Sequence, residues 1–308
     1  MADIVNSPVN FHQLHIFYTV ANHGSFSKAA EVLGISQPAV SIQVQELEKF
    51  LRATLFHRRT RGLRLTEAGE SVLSYSQQIF ALSQRLVDSV QELEGLKSGR
   101  LTLGASTTPG EFVLPLAVGQ FRQIYPGIRV ELSIANTRTI VQRILAGEVD
   151  LGMVGERPQA HAEDLEMVDY VDDEIVLVAS PEHPLAKQAV ITPAQAVAAG
   201  LIVREAGSAT RQTAERHFAA LGLQPEMVLV LGSNHAVKQA AVGGGGVGVI
   251  SRLGITSELK AGVLCVLNVQ GWDCRRPLTL VYSRDRYLSP AQRAFLRFLE
   301  SQRLGSQG

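Results

Sequence analysis

The chain has 308 residues, 29 Lys plus Arg against 29 Asp plus Glu, and two cysteines. That length exceeds one compact unit of about 100 to 200 residues, so two or three domains are expected. Zero net charge makes any nucleic-acid signal local rather than global, two cysteines exclude a disulfide scaffold, and no apolar stretch approaches the roughly 20 residues of a membrane span.

The start, MADIVNSPVNFHQLHIF, lacks the basic and apolar parts of a signal peptide, so a reducing cytoplasm and no membrane partner are expected. Leu14, Phe17, Val20 and Ala21 fall three or four apart and predict a helix that stops at His23-Gly24. Ser27 is placed as the N-cap of a short second helix carrying Ala29, Ala30 and Leu33, which Gly34 closes. Ser36 caps a third helix from Gln37 to about Leu51, with Val40, Val44, Leu47 and Leu51 inward and Gln37, Ser41 and Gln45 on the opposite face. Pro38 is tolerated there because a first-turn N–H has no acceptor inside the helix.

Two short helices around a tight turn, the second opening with an exposed row of Gln and Ser, suit a helix-turn-helix whose recognition helix enters the major groove N-terminus first. A Gln amide there can bond adenine edges, and small hydroxyls let the backbone approach phosphates. The alternative is a plain three-helix unit with polar residues facing water. The run downstream weighs against it: Lys49, Arg52, Arg58, Arg59, Arg61 and Arg64 come with no acid between them. Residues 55–65 alternate around Gly62 as a two-stranded wing would, placing arginines beside flanking phosphates.

Phe26-Ser27-Lys28-Ala29-Ala30, Ile35-Ser36-Gln37-Pro38-Ala39-Val40-Ser41, Leu47-Glu48, Leu55-Phe56 and Leu65-Thr66-Glu67-Ala68-Gly69 together resemble the signature of LysR-type transcription regulators, over residues 11–70. The resemblance implies double-stranded DNA as a partner. It implies base-reading positions for Gln37, Pro38 and Ser41, and backbone-contact positions for Ser36, Arg58, Arg59 and Arg61. Ser27 and Gln45 complete the expected DNA-binding set.

Thr66 can cap a long helix whose first turn holds Glu67 and Glu70, favourable near the positive end of the dipole. Val72, Tyr75, Ile79, Leu82, Leu86 and, after Ser89 or Val90, Leu93 form an apolar seam suited to a second subunit, with packing on its own chain as the alternative; a homodimer is expected, and a homotetramer and contact with RNA polymerase are implied by resemblance alone.

From Gly99 apolar strands alternate with helices: strands at 101–105, 129–135 and 150–154 with helices at 113–125 and 140–146, then strands at 174–179, 201–203, 227–231 and 247–251 with helices at 193–199, 210–221 and 236–242. Thr192-Pro193-Ala194-Gln195 and Ser289-Pro290-Ala291-Gln292 read as capping boxes. The fold class is therefore α/β behind an N-terminal winged helix-turn-helix. Domains are drawn at 1–66, 67–97 (a linker helix) and 98–308. The family's effector domain is periplasmic-binding-protein-like (type 2), which implies subdomain I at about 98–170 and 276–304, subdomain II at about 171–275, and crossovers near 169–172 and 267–277.

Ligands of such sheets sit at the carboxyl ends of strands. Ser106-Thr107-Thr108 follows one strand and Asn136-Thr137 another; these groups serve anion binding, helix capping, or both. In Val203-Arg204-Glu205-Ala206-Gly207-Ser208-Ala209-Thr210, a cation, a glycine and the hydroxyls of Ser208 and Thr210 converge on one loop, fit for phosphate or carboxylate; an Arg204 salt bridge with a neighbouring acid is the alternative. This loop resembles the carbon-fixation (CbbR-type) or sulfur-metabolism branches of the family, which implies a small anionic effector.

Gly243, Gly245 and Gly248 follow a helix and precede a strand, the reverse of a dinucleotide motif. His12 and His15 lack acidic or thiol companions, so no metal is expected, and no cofactor either. Cys265 and Cys274 read as ordinary buried thiols rather than a redox switch. No nucleophile, base and orienter assemble, so no catalytic residue is assigned and a metabolite-binding enzyme stays only the alternative.

Overall fold

A computed structural model describes residues 9–58, 63–92, 96 and 98–305. The chain divides into two compact units, Met1–Val87 and Asp88–Gly308.

The first unit begins with α1 (Phe11–His23), α2 (Phe26–Leu33) and α3 (Gln37–Leu51). Leu14, Ile16, Phe17 and Val20 of α1 bury against Ala29, Ala30, Val40, Val44 and Leu47. Gly24 ends α1 in the left-handed region at φ 62°. The cap of α2 is Ser25, whose side chain accepts from the Lys28 N–H at 3.3 Å; Ser27, expected in that role, lies exposed in the first turn instead. Phe26 packs on Phe56, 5.6 Å between ring centroids, and this inward-facing ring draws the helix start ahead of Ser27.

Strands β1 (Phe56–Arg58) and β2 (Leu63–Leu65) pair antiparallel, Phe56 opposite Leu65. Glu48 Oε1 accepts from the Leu55 N–H at 2.7 Å and ties this ribbon to α3. Arg59 and Arg61 lie outside the described residues, as does the side chain of Arg58. Thr66 Oγ1 accepts from the Gly69 N–H at 3.0 Å and caps α4 (Glu67–Glu92). A Cβ on Gly69 would stand 2.1 Å from the Leu55 carbonyl oxygen, so the ribbon and helix approach this closely only because glycine sits there.

The stripe expected along α4 separates into two. Val72 and Ile79 pack on the helical core of their own unit, and Phe80 meets Phe11, His15 and Tyr18. Tyr75, Leu82, Leu86 and Val90 stay exposed. Leu93 lies outside the described residues.

The second unit runs β3 (Gly99–Ala105), α5 (Thr107–Phe112), α6 (Leu114–Ile124), β4 (Ile128–Ile134), α7 (Thr137–Ala146), β5 (Leu151–Val154) and β6 (Leu165–Ala179). It continues through α8 (Pro193–Ala198), β7 (Leu201–Arg204), α9 (Ala209–Ala220), β8 (Met227–Leu231), α10 (Asn234–Val242) and β9 (Val247–Ser251). It closes with α11 (Thr256–Lys260), β10 (Cys265–Val266), β11 (Arg275–Ser283) and α12 (Pro290–Gly305). Strand order is β4-β3-β5-β11-β6-β9-β7-β8, with β10 also on β6.

Two parallel groups, β4-β3-β5 and β9-β7-β8, flank the long antiparallel pair β6 and β11. One core gathers Leu101, Phe121, Leu280 and Phe295, and another gathers Leu177, Val203, Phe218 and Val249. The helix expected over 113–125 is preceded by α5, and the break at Val113 has a cause: Pro115 has no N–H to continue the ladder. Both capping boxes form, Gln195 and Gln292 each accepting from the cap N–H while Thr192 and Ser289 accept in return. Among the described residues no helix is long and apolar enough to cross a membrane.

Candidate functional sites

On the first unit, Ser36 Oγ accepts from the Ala39 N–H at 3.3 Å and caps α3, along which Gln37, Pro38 and Gln45 are exposed. Ser41 is half-buried, and the Gln37 amide donates to its hydroxyl at 3.0 Å one turn on. This exposed face carries amide and hydroxyl groups at helical spacing, the chemistry that reads base edges.

On the second unit, three chain reversals meet. Ser106 stands at the N-cap of α5 but does not cap it; its hydroxyl accepts from the Gly155 N–H at 2.9 Å. Ser208 stands likewise before α9 without a capping bond, whereas Asn136 does cap α7, accepting from Thr139 N–H at 2.9 Å. Ser106, Thr107, Thr108, Asn136, Thr137, Ser208 and Thr210 all line one cavity of about 50 Å3, together with Glu205, Gly207, Ala209 and Arg276. The starts of α5, α7 and α9 thus converge, and first-turn N–H groups have no acceptor inside their own helix. Their partial positive charge favours an anion.

Arg204 is 3% exposed and sits behind this cavity rather than on its wall. Its Nε and Nη2 donate to the two carboxylate oxygens of Glu205 at 2.8 and 2.9 Å, Nη1 donates to Asn234 Oδ1 at 2.8 Å, and Nη2 reaches Thr107 at 3.4 Å. Asn234 in turn donates to Glu111 at 2.8 Å. The pairing with Glu205 is the salt bridge left open as the alternative, but the guanidinium is buried. Burial alone would raise the Glu205 carboxyl; the hydrogen bond and charge of Arg204 outweigh it and hold the group below its ordinary range.

The cation on the wall is Arg276, which the reading of the sequence did not select. It is 6% exposed, and its Nη2 donates to Thr108 Oγ1 at 3.1 Å and Thr210 Oγ1 at 3.0 Å, joining the first turns of α5 and α9. Nε and Nη2 also donate to Asp173 Oδ2. Burial pushes the Asp173 carboxyl up, against the opposing pull of Arg276 and of the Ser251 hydroxyl that donates to Oδ1. Nη1 has no hydrogen-bond partner among the described residues. A Cβ at Gly155 would stand 3.0 Å from both Cζ and Nη1, so glycine there makes room for the guanidinium. Its own strand gives no signal: β11 is buried on both faces from Leu278 to Val281, so no two-residue alternation marks the side that Arg276 occupies.

The cavity adjoins an open chamber of about 930 Å3 that shares Asn136, Thr137, Gly207 and Ala209 with it. Arg138, Gln142, Gln159 and Gln212 also line that chamber.

Residues 11–70 match the family described as "Bacterial regulatory helix-turn-helix protein, lysR family", and residues 94–303 match "LysR substrate binding domain". The "HTH-type transcriptional activator CmpR" of Synechocystis sp. is 36% identical over 288 residues, covering 94% of this chain and 94% of that protein. The "RuBisCO operon transcriptional regulator" of Allochromatium vinosum is 36% identical over 294 residues, 96% of each chain. The regulatory domain of Synechocystis PCC6803 CcmR, solved in complex with 2-PG, is 33% identical with a TM-score of 0.62, covering 67% of this chain and 97% of that one.

Proposed function

The chain belongs to the LysR family of DNA-binding transcription regulators, not to a family of enzymes, and we propose that it activates transcription in response to a small anionic metabolite held where α5, α7 and α9 begin. One observation carries the reading: Arg276, buried on the wall of that cavity, has an Nη1 without a partner among the described residues. A buried donor without an acceptor costs about 1–3 kcal/mol, and a bound anion would supply the acceptor. The activator named among the relatives and the 2-PG complex of CcmR support the same reading.

Effector binding acts by favouring one setting of the two parallel strand groups about β6 and β11, which requires the ligand to bind that setting better than the alternative. In this reading residues 1–66 hold DNA, 67–97 form the linker helix, and 98–308 sense the effector, with subdomain I at about 98–170 and 276–304 and subdomain II at about 171–275. The exposed Tyr75, Leu82, Leu86 and Val90 of α4 support pairing with a second copy, and paired half-sites follow from two-fold symmetry. The regulator works in the cytoplasm, where its operator and RNA polymerase are.

The test is thermal unfolding of the full chain against phosphorylated metabolites, nicotinamide nucleotides, carboxylates and inorganic oxyanions, since a ligand of the folded state raises apparent stability by mass action. A stabilisation that disappears in Arg276→Gln is expected. No stabilisation by any anion, or one that survives this change, would overturn the site.

A further inference from the structure

The 50 Å3 cavity is large enough for one phosphate- or carboxylate-sized group, whereas pockets that bury whole organic ligands span about 300–1,000 Å3. The rest of any larger effector must lie in the adjoining chamber of about 930 Å3, which the shared Asn136 and Thr137 make continuous with the cavity. Besides Asn136, three glutamines, Gln142, Gln159 and Gln212, line that chamber, and each amide can both donate to and accept from hydroxyl groups.

The chamber's charged groups are not equally available. Arg157 is held by both carboxylate oxygens of Asp169, at 3.1 and 2.8 Å, and Glu156 by Arg216 at 2.6 Å. Arg138, on the first turn of α7 beside Thr137, is exposed and has no hydrogen-bond or ion-pair partner among the described residues. Resting on the anion site argued above, we propose that Arg138 is a specificity-determining residue: it engages a second anionic group of the effector, and so selects two-headed organic anions over inorganic anions and over organic anions with one charged end. The guanidinium fork suits a carboxylate or phosphate.

A matched pair of probes isolates the second group. Glycerol 3-phosphate and 3-phosphoglycerate differ in a hydroxymethyl against a carboxylate, and inorganic phosphate represents the head alone. Titration calorimetry on the full chain is expected to show 3-phosphoglycerate binding about ten-fold or more tighter than glycerol 3-phosphate, with inorganic phosphate weaker than both. Arg138→Gln should bring the two organic probes to within about two-fold by weakening only 3-phosphoglycerate, and Arg138→Lys should restore part of the gap. Equal binding of the pair in the unsubstituted chain, or a preference that survives Arg138→Gln, overturns the proposal and leaves the anion site standing. If none of the three probes binds, the anion site fails and takes the proposal with it.

Discussion

Arg276 and Asp173 stand 103 positions apart in the chain and meet as a buried ion pair, Nε and Nη2 both donating to Oδ2 at 3.0 and 2.8 Å. Removing one partner strands a charge where water cannot reach it, at a cost of about 3–5 kcal/mol, although a well-packed apolar replacement of both can be neutral. Asp173→Ala should therefore lower the unfolding midpoint of the second unit sharply, while Asp173→Leu combined with Arg276→Met recovers most of the stability. The double variant should nevertheless lose all stabilisation by anions, because the guanidinium that faces them is gone. A midpoint barely moved by Asp173→Ala would show that the pair does not hold this region together.

The same pair explains what was legible in the sequence. The winged helix-turn-helix was readable because caps, an apolar stripe and an acid-free arginine run all lie within sixty residues of one another. The positions Ser106, Thr107, Thr108, Asn136, Thr137, Ser208 and Thr210 were readable for the same reason: each lies within six residues of the end of its own strand, at or near the start of the next helix. Arg276 was not, because what makes it notable is Asp173, Thr108 and Thr210, brought to it by the sheet from distant positions. Arg204 carried the stronger local signal and turned out to be satisfied by its neighbour Glu205 and by Asn234. The first half of β6, Leu165–Asp173, was also missed; it has few fully buried positions and so no apolar run to mark it.

Gln37 lies exposed in the first turn of α3, its amide on Ser41 at 3.0 Å. Gln37→Ala should weaken operator binding by about 1–3 kcal/mol and leave random DNA almost unchanged, as measured by competition binding at fixed salt. Arg59→Ala, tested beside it, should weaken both DNAs and reduce the salt slope by about one. Equal losses on operator and random DNA from the glutamine change would remove Gln37 from base reading.

Gly69 permits the contact between the Leu55 carbonyl and the first turn of α4. Gly69→Ala places a methyl 2.1 Å from that oxygen, and neither backbone can yield without breaking the Thr66 N–H bond to Leu55 O at 3.0 Å. The expected result is a first unit that unfolds at lower temperature and binds operator poorly, while anion binding by the second unit is retained. Helix propensity alone would favour Ala by up to about 1 kcal/mol, so a stabilised variant would mean the approach is looser than the distance implies.

Cys274 is 1% exposed, and burial pushes its thiol up to about 12. A direct disulfide with Cys265 is sterically remote: Cys265 stands opposite Ala179, Cys274 O accepts from the Ile175 N–H, and four residues of strand separate these anchors by about 13 Å, against the roughly 7 Å limit between bridged α-carbons. The consequence is a pH dependence with a definite sign. The folded state retains the thiol proton to about pH 12, whereas in the unfolded chain it leaves near the ordinary thiol value of about 8.5–9, so the unfolded state binds fewer protons across that interval. Stability contributed by this group is complete below about pH 8.5 and declines as pH rises through the window, by up to about 1.4 kcal/mol per pH unit. Denaturant titrations between pH 8 and 10.5 should show this component in the unsubstituted chain and not in Cys274→Ala, with Cys265→Ala, whose thiol is only partly buried, changing the slope less. Identical slopes for the unsubstituted chain and Cys274→Ala would mean that Cys274 ionises in the folded state as it does in the unfolded chain.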